Sequence, residues 1–314
     1  MIEEKLGSYA IVKTVGSGTM GTVYQAEDRR NGRMVAVKLI RSRVLSDAAK
    51  RERFLQGLLR TCEIRHKNLC PILEIGDDDD DFYVITPFLE GMTLRQRMDG
   101  RPLPWREAVR IALLVAETLD AVHEAGSVHR SVNPSNLWLV ADGTVLLTDC
   151  GMATFTETDP RSLRRAAAAD HARSRIPMNA LAFMSPEQIR GNAVDRRTDI
   201  FALGAVLHTM LTGTHRFEPR GSFQRAGATN QNFPADLHAI MNRAVRHAPE
   251  ARYQQMRDLI CDLRRVSAID EREAVDPAPD TPAPGRRRFP RVNLATAALL
   301  LVILITMVYY LLVR

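Results

Sequence analysis

Between Arg291 and Arg314 the chain runs for 22 residues, 292–313, without one charged side chain, and most of them are Leu, Val, Ile or Ala. A helix lying against water keeps a polar face, and this stretch has none. At about 1.5 Å per residue it reaches roughly 33 Å, enough to cross a hydrocarbon core of about 30 Å, so a transmembrane helix is expected there. Tyr309 and Tyr310 fall near its far end, where amphipathic rings favour the membrane interface. Arg286, Arg287, Arg288 and Arg291 precede the span while Arg314 follows it, a bias that assigns everything N-terminal to the cytoplasm. The opening MIEEKLGSYA carries acidic residues and no apolar run, so no secretory signal is expected from it. With 43 Lys and Arg against 37 Asp and Glu the formal charge is +6. The basic cluster sits where it would meet an anionic membrane surface, and no nucleic-acid partner is expected.

Just upstream, DPAPDTPAPG (276–285) can propagate neither a helix nor a central strand and reads as an extended tether. It belongs to a Pro-rich and basic juxtamembrane linker over 268–291. What remains is a short N-terminal segment, 1–8, and one folded domain, 9–267. In the domain's first third, short runs that alternate apolar and polar residues at 9–15, 21–27, 34–40 and 82–88 predict antiparallel strands. The pattern then turns helical: over 105–125, Ala108, Ile111, Ala112, Val115, Leu119 and Val122 share one face. A β-rich lobe over about 9–86 followed by a helical lobe over about 90–267 makes an α+β, bilobal arrangement with a cleft between the halves. Cys62, Cys70, Cys150 and Cys261 are far apart in sequence and lack metal-ligand spacing, so neither a disulfide framework nor a zinc site is expected. The five aspartates at 77–81 fall at a turn between Ile75 and Phe82 and read as a solvated turn.

Gly16-Ser17-Gly18-Thr19-Met20-Gly21-Thr22-Val23 is a loop in which glycines let backbone N–H groups approach a phosphate chain. In a dinucleotide fold such a loop leads into a helix, whereas here Thr22 to Ala26 continues as strand and Val35-Ala36-Val37-Lys38 follows as another. That context favours a hairpin clamped over a nucleotide, with Lys38 on a strand facing the cleft.

Those two motifs, followed in order by Val128-His129-Arg130, Asn136, Asp149-Cys150-Gly151 and Ser185-Pro186-Glu187, resemble the signatures of protein kinases. Over about 9–267 the chain is similar to bacterial Ser/Thr protein kinases of the eukaryotic-like type. The resemblance implies an ATP site formed by Gly16, Gly18, Gly21, Val23, Ala36, Lys38, Thr86 and the hinge residues Pro87 and Leu89, with Asn136 and Asp149 as ligands for Mg2+. It also implies that Asp199 braces the catalytic-loop backbone, that Arg252 pairs with Glu187, and that His129 packs beneath the loop.

The chain departs from the family's pattern where the chemistry lies. Ser131 stands at the position of the aspartate that orients the substrate hydroxyl, and a neutral hydroxyl cannot serve as that anion. Asn133 replaces the lysine that would neutralise charge on the moving phosphoryl group. In 51–59, which resembles the family's αC helix, Gly57 takes the place of the glutamate that pairs with the strand lysine. Ala180 replaces the threonine that ties the catalytic residues together, and Cys150 replaces the Phe after the metal-binding Asp.

The resulting expectation is a membrane-anchored pseudokinase that binds ATP weakly, with Mg2+ beside it, and docks cytoplasmic protein partners or a cognate active kinase. The alternative is an active Ser/Thr kinase with reduced phosphotransfer, because positioning supplies much of the catalysis of this reaction. The stretch 154–175, with Thr154, Thr156, Thr158, Ser162 and Ser174 among arginines, reads as a mobile loop, the alternative being a segment that another kinase phosphorylates.

Overall fold

The alternation at the start of the chain produces a six-stranded antiparallel sheet. In the computed structural model, which describes residues 5–17, 21–40, 48–78, 81–152, 182–213 and 233–275, its strands are β1 (Lys5–Leu6), β2 (Tyr9–Ser17), β3 (Gly21–Asp28), β4 (Arg33–Ile40), β5 (Glu74–Asp78) and β6 (Asp81–Pro87). They lie in the order β1-β2-β3-β4-β6-β5. The four strands predicted at 9–15, 21–27, 34–40 and 82–88 are present to within about two residues at each end. Lys5 and Leu6, placed in an N-terminal segment by the sequence, pair with Ala10 and Tyr9 as an edge strand. The aspartate run straddles the tight β5–β6 connection, where Asp78 pairs with Asp81; Asp79 and Asp80 lie outside the described residues.

Register decides which side chains share a face. Lys38 stands opposite Val23 on one side and Val84 on the other, and Ala36 opposite Thr86. Residues directly opposite in an antiparallel pair point to the same face, so Val23, Ala36, Lys38 and Thr86 line one face together. Val35 and Val37 point the other way, into a cluster with Tyr9, Ala26, Tyr83 and Ile85. Helix α1 (Ala48–Glu63) covers part of the Lys38 face, burying Phe54 and Leu58 against Ile40, Phe82, Val84 and Met152.

Past the hinge the chain becomes helical. A capped turn of helix, α2 (Leu94–Met98), follows β7 (Gly91–Thr93), and α3 (Trp105–Glu124) buries the stripe read from its 3.6-residue period. Strands β8 (Leu137–Val140) and β9 (Val145–Leu147) form a second sheet with β7, an element the sequence reading did not anticipate. Beyond them come α4 (Pro186–Arg190), α5 (Arg196–Thr212), α6 (Ala235–Ala244) and α7 (Met256–Val275). Every residue of α5 from Thr198 to Thr212 is buried, as befits a helix through the centre of a core. At Gly204 an added Cβ would come within 2.7 Å of Ala244, so glycine is what lets α6 approach. The chain divides into two units, Met1–Ile269 and Asp270–Arg314. Among the described residues no helix is long and apolar enough to cross a membrane; the span expected at 292–313 lies outside them.

The helical half is pinned by one buried ion pair. Arg252 donates to both carboxylate oxygens of Glu187, at 2.7 and 2.8 Å, and its remaining donors reach the carbonyls of Arg246, Arg197 and His247. Thr198 Oγ1 adds a third donor to Glu187. Burial raises the Glu187 carboxyl, but the bonds and charge of Arg252 outweigh it and hold the group below its ordinary value of 4.5. Its contribution to stability is therefore complete above about pH 4.5 and fades as the pH falls through the lowered folded value. Arg252→Ala, which takes the cation from a buried carboxylate and a donor from three carbonyls, is expected to cost on the order of 3–5 kcal/mol in urea unfolding at pH 7. The cost should shrink below pH 4; a loss under 1 kcal/mol would show that the pair does not hold the fold.

Candidate active site

The loop 129–136 is shaped by a carboxylate that never reaches the cleft. Asp199, in the first turn of α5 and fully buried, accepts from the backbone N–H of His129 at 2.9 Å and of Arg130 at 2.8 Å, and lies 2.8 Å from His123 Nε2. Burial raises its carboxyl, yet these donors prevail and keep it below the ordinary carboxylate value, hence charged. The strain they sustain is visible at Arg130, whose φ of 66° is unusual for a side chain of that size. His129 is a splint. Its Nε2 bonds the Thr148 carbonyl and its Nδ1 accepts the Ser131 N–H. Burial lowers its imidazole below the ordinary value, so it stays neutral, with both nitrogens occupied.

The loop's polar side chains turn on each other. Asn133 is buried, donating to the Ser131 carbonyl at 2.9 Å and accepting from the Ser135 N–H at 2.9 Å. Asn136 Nδ2 also reaches the Ser131 carbonyl, at 2.9 Å, and the Ser131 hydroxyl, at 3.2 Å. Ser131 is thus a neutral hydroxyl that receives a hydrogen bond at the position where the family's pattern has an anion.

Across the cleft, Lys38 Nζ lies 2.6 Å from Asp149 Oδ2, and both side chains are largely shielded from solvent. Asp149 has φ 64°, which a short polar side chain tolerates, and the Thr148 N–H before it bonds the Asn136 carbonyl. The residues predicted for metal are therefore joined through one turn. Gly57 offers Lys38 no carboxylate, and Glu52 and Glu63, the neighbouring acids on α1, are exposed. The helix meets the 149–151 turn closely: an added Cβ on Gly151 would lie 2.6 Å from Thr61 Oγ1 and 2.9 Å from the Gly57 carbonyl. Cys150 is buried there, with the Thr61 hydroxyl 3.9 Å from its sulfur.

The glycines of the loop divide in purpose. A Cβ at Gly16 would meet nothing within 4 Å, leaving its backbone open to a ligand. At Gly21 it would collide with the Leu39 carbonyl at 1.7 Å, so this glycine serves the β3–β4 contact. Ser17 and Thr22 close the hairpin through their hydroxyls at 3.0 Å. Gly18 lies outside the described residues, as do Ala180 and 154–175. Pro87 ends β6, paired with Val35, and Leu89 follows it partly buried.

Two residues of the site carried no sequence signal. Cys70 is buried; burial above all, then the Asp149 charge, push its thiol up to about 12, which keeps it protonated. Asn68 donates from Nδ2 to the Val145 carbonyl, and its own carbonyl receives the Leu147 N–H. Only the fold brings this segment against β9, through Asn68 and through the Cys70 N–H to the Leu147 carbonyl.

The chain is similar to known proteins in sequence and in fold. Residues 9–271 match the protein kinase domain. A probable serine/threonine-protein kinase of Clostridium perfringens is 31% identical over 279 residues, 85% of this chain and 39% of its own length. The serine/threonine-protein kinase PrkC of Bacillus subtilis is 28% identical over 276 residues, 84% of this chain and 41% of its own. The chain thus spans about two fifths of the length of the curated relatives it matches. Among solved structures, the kinase domain of PknI from Mycobacterium tuberculosis superposes with a TM-score of 0.68 at 23% identity, over 84% of this chain and 98% of that domain. The two-lobed fold, the ordered motifs and the match over 9–271 make this chain a member of the eukaryotic-like protein kinase family of bacteria.

Proposed function

We propose that the chain is a membrane-anchored pseudokinase, a domain that binds ATP weakly and signals by docking cytoplasmic proteins or a cognate active kinase. The observation that carries this reading is Ser131. It is a neutral side chain hydrogen-bonded by Asn136, and Asn133 beside it is folded into the loop's own backbone. Neither supplies the charge that phosphoryl transfer uses at those positions.

The nucleotide-holding half supports the rest of the reading. Members of the family use ATP and Mg2+. Val23, Ala36, Lys38 and Thr86 share the sheet face above the cleft. The oxygen donors of Asp149 and Asn136 are of the hard kind that suits Mg2+. Asn136 spends its Nδ2 on Ser131, which leaves its side-chain oxygen as the ligating atom. Mg2+ could be held there only by displacing Lys38, whose ammonium already meets Asp149 Oδ2 at 2.6 Å. A second reading, an active Ser/Thr kinase with reduced transfer, draws support from the Asp199 brace, which keeps the loop in place without Ser131.

For the full chain in detergent micelles, ATP at about ten times its Kd should add about 1.4 kcal/mol of stability and raise the Tm by roughly 3–6 °C. Lys38→Met should abolish that shift; an unshifted wild type, with no heat of binding in calorimetry, would leave only a scaffold without nucleotide. Membrane anchoring is tested in cells. The positive-inside bias around 292–313 leads us to expect the kinase-like domain to survive protease added from outside and to stay with the membrane after carbonate extraction. Digestion from outside, or release by carbonate, would refute the anchor.

A further inference from the structure

We infer that the site takes its nucleotide free of metal, with Lys38 in the charge-bridging place of Mg2+. The inference rests on the nucleotide-binding reading above and specifies the ionic form of the ligand.

The observation is the pairing of Lys38 with Asp149 at 2.6 Å, the ion pair that Lys38 makes among the described residues. With Gly57 on the facing helix and the carboxylates of Glu52 and Glu63 exposed, α1 provides nothing to draw Lys38 away. Asp149 would have to release Lys38 before presenting that oxygen to a cation. An ammonium has three donors and no acceptor, so Lys38 can hold Asp149 with one N–H and a phosphate oxygen with another. In that arrangement the ammonium separates two anionic groups that would otherwise repel, which is what a metal ion does between carboxylate and phosphates.

The charge of the cleft points the same way. Relative to the family's pattern, Gly57 and Ser131 remove two carboxylates and Asn133 removes one ammonium, leaving the site one unit more positive. A more positive cleft favours the more highly charged, uncomplexed nucleotide and lowers the local concentration of divalent cations. The close packing of α1 on the 149–151 turn, through Gly57, Thr61 and Gly151, holds Asp149 where Lys38 meets it.

The test is calorimetric titration of the full chain in detergent with ATP, once in EDTA and once in excess MgCl2. Wild type should bind with affinities that agree within about threefold in the two buffers. Asp149→Asn, nearly isosteric and tolerant of the positive φ, should tighten binding in EDTA by about threefold, because it removes the competing partner of Lys38. Gly57→Glu, which offers Lys38 a carboxylate on the helix, should make binding at least about tenfold tighter with Mg2+ than without. Wild-type binding at least tenfold tighter in Mg2+, or loss of binding in Asp149→Asn in both buffers, would overturn the inference while leaving nucleotide binding intact. No ATP binding by wild type in either buffer would overturn the nucleotide reading and the inference with it.

Discussion

Asp199 is the hinge of the structure, although it faces no solvent. A carboxylate buried in the first turn of the central helix costs several kcal/mol to desolvate unless its oxygens are met by donors. Here two successive backbone N–H groups of the loop and the imidazole of His123 meet them. That requirement fixes the path of 129–130 and forces Arg130 to positive φ. It also sets His129 where its ring joins the Ser131 N–H to the Thr148 carbonyl. From Thr148 the order passes to Asn136 on one side and Asp149 on the other. The brace acts on backbone, so it is indifferent to the residue at 131, and the loop keeps its shape with a serine there.

The same logic separates what the chain retains from what it lacks. Side chains that hold the fold, namely Asp199, the Glu187–Arg252 pair and the buried stripe of α3, are all in place and fully partnered. The charged side chains that the family's pattern carries at 57, 131 and 133 are absent here, whereas Lys38 is kept. Their replacements have been absorbed locally: Asn133 into the loop's hydrogen bonds, Gly57 into a helix that comes close to Gly151. Left without a helix carboxylate, Lys38 pairs with Asp149, so the loss on α1 is felt on the far side of the cleft.

Much of this was legible in the sequence because it rests on local periodicity and on residues of one chemical kind. Period-two runs placed β2, β3, β4 and β6, and the 3.6-residue stripe placed α3. The roles assigned to Asp199, Arg252 and His129 by resemblance coincide with the hydrogen bonds these residues make. What was not legible depends on long-range pairing. The short strands β1, β7, β8 and β9 have too few residues to show a period, and they exist because a neighbouring edge receives them. Cys70 and Asn68 are ordinary residues in an irregular segment until β9 is brought beside them. Gly21 looked like part of a phosphate loop, and its packing against the Leu39 carbonyl emerges only from the β3–β4 register.

The central claim is that the domain keeps its nucleotide-holding geometry and lacks transfer chemistry. The most direct measurement is transfer of a labelled γ-phosphoryl group from ATP to a generic basic protein by the full chain, beside Lys38→Met and Ser131→Ala variants. The account predicts that wild type incorporates no more label than Lys38→Met. It would be contradicted by a wild type that labels the acceptor, a Lys38→Met that does not, and a Ser131→Ala as active as wild type. That result would mean that phosphoryl transfer proceeds here without an anion at position 131.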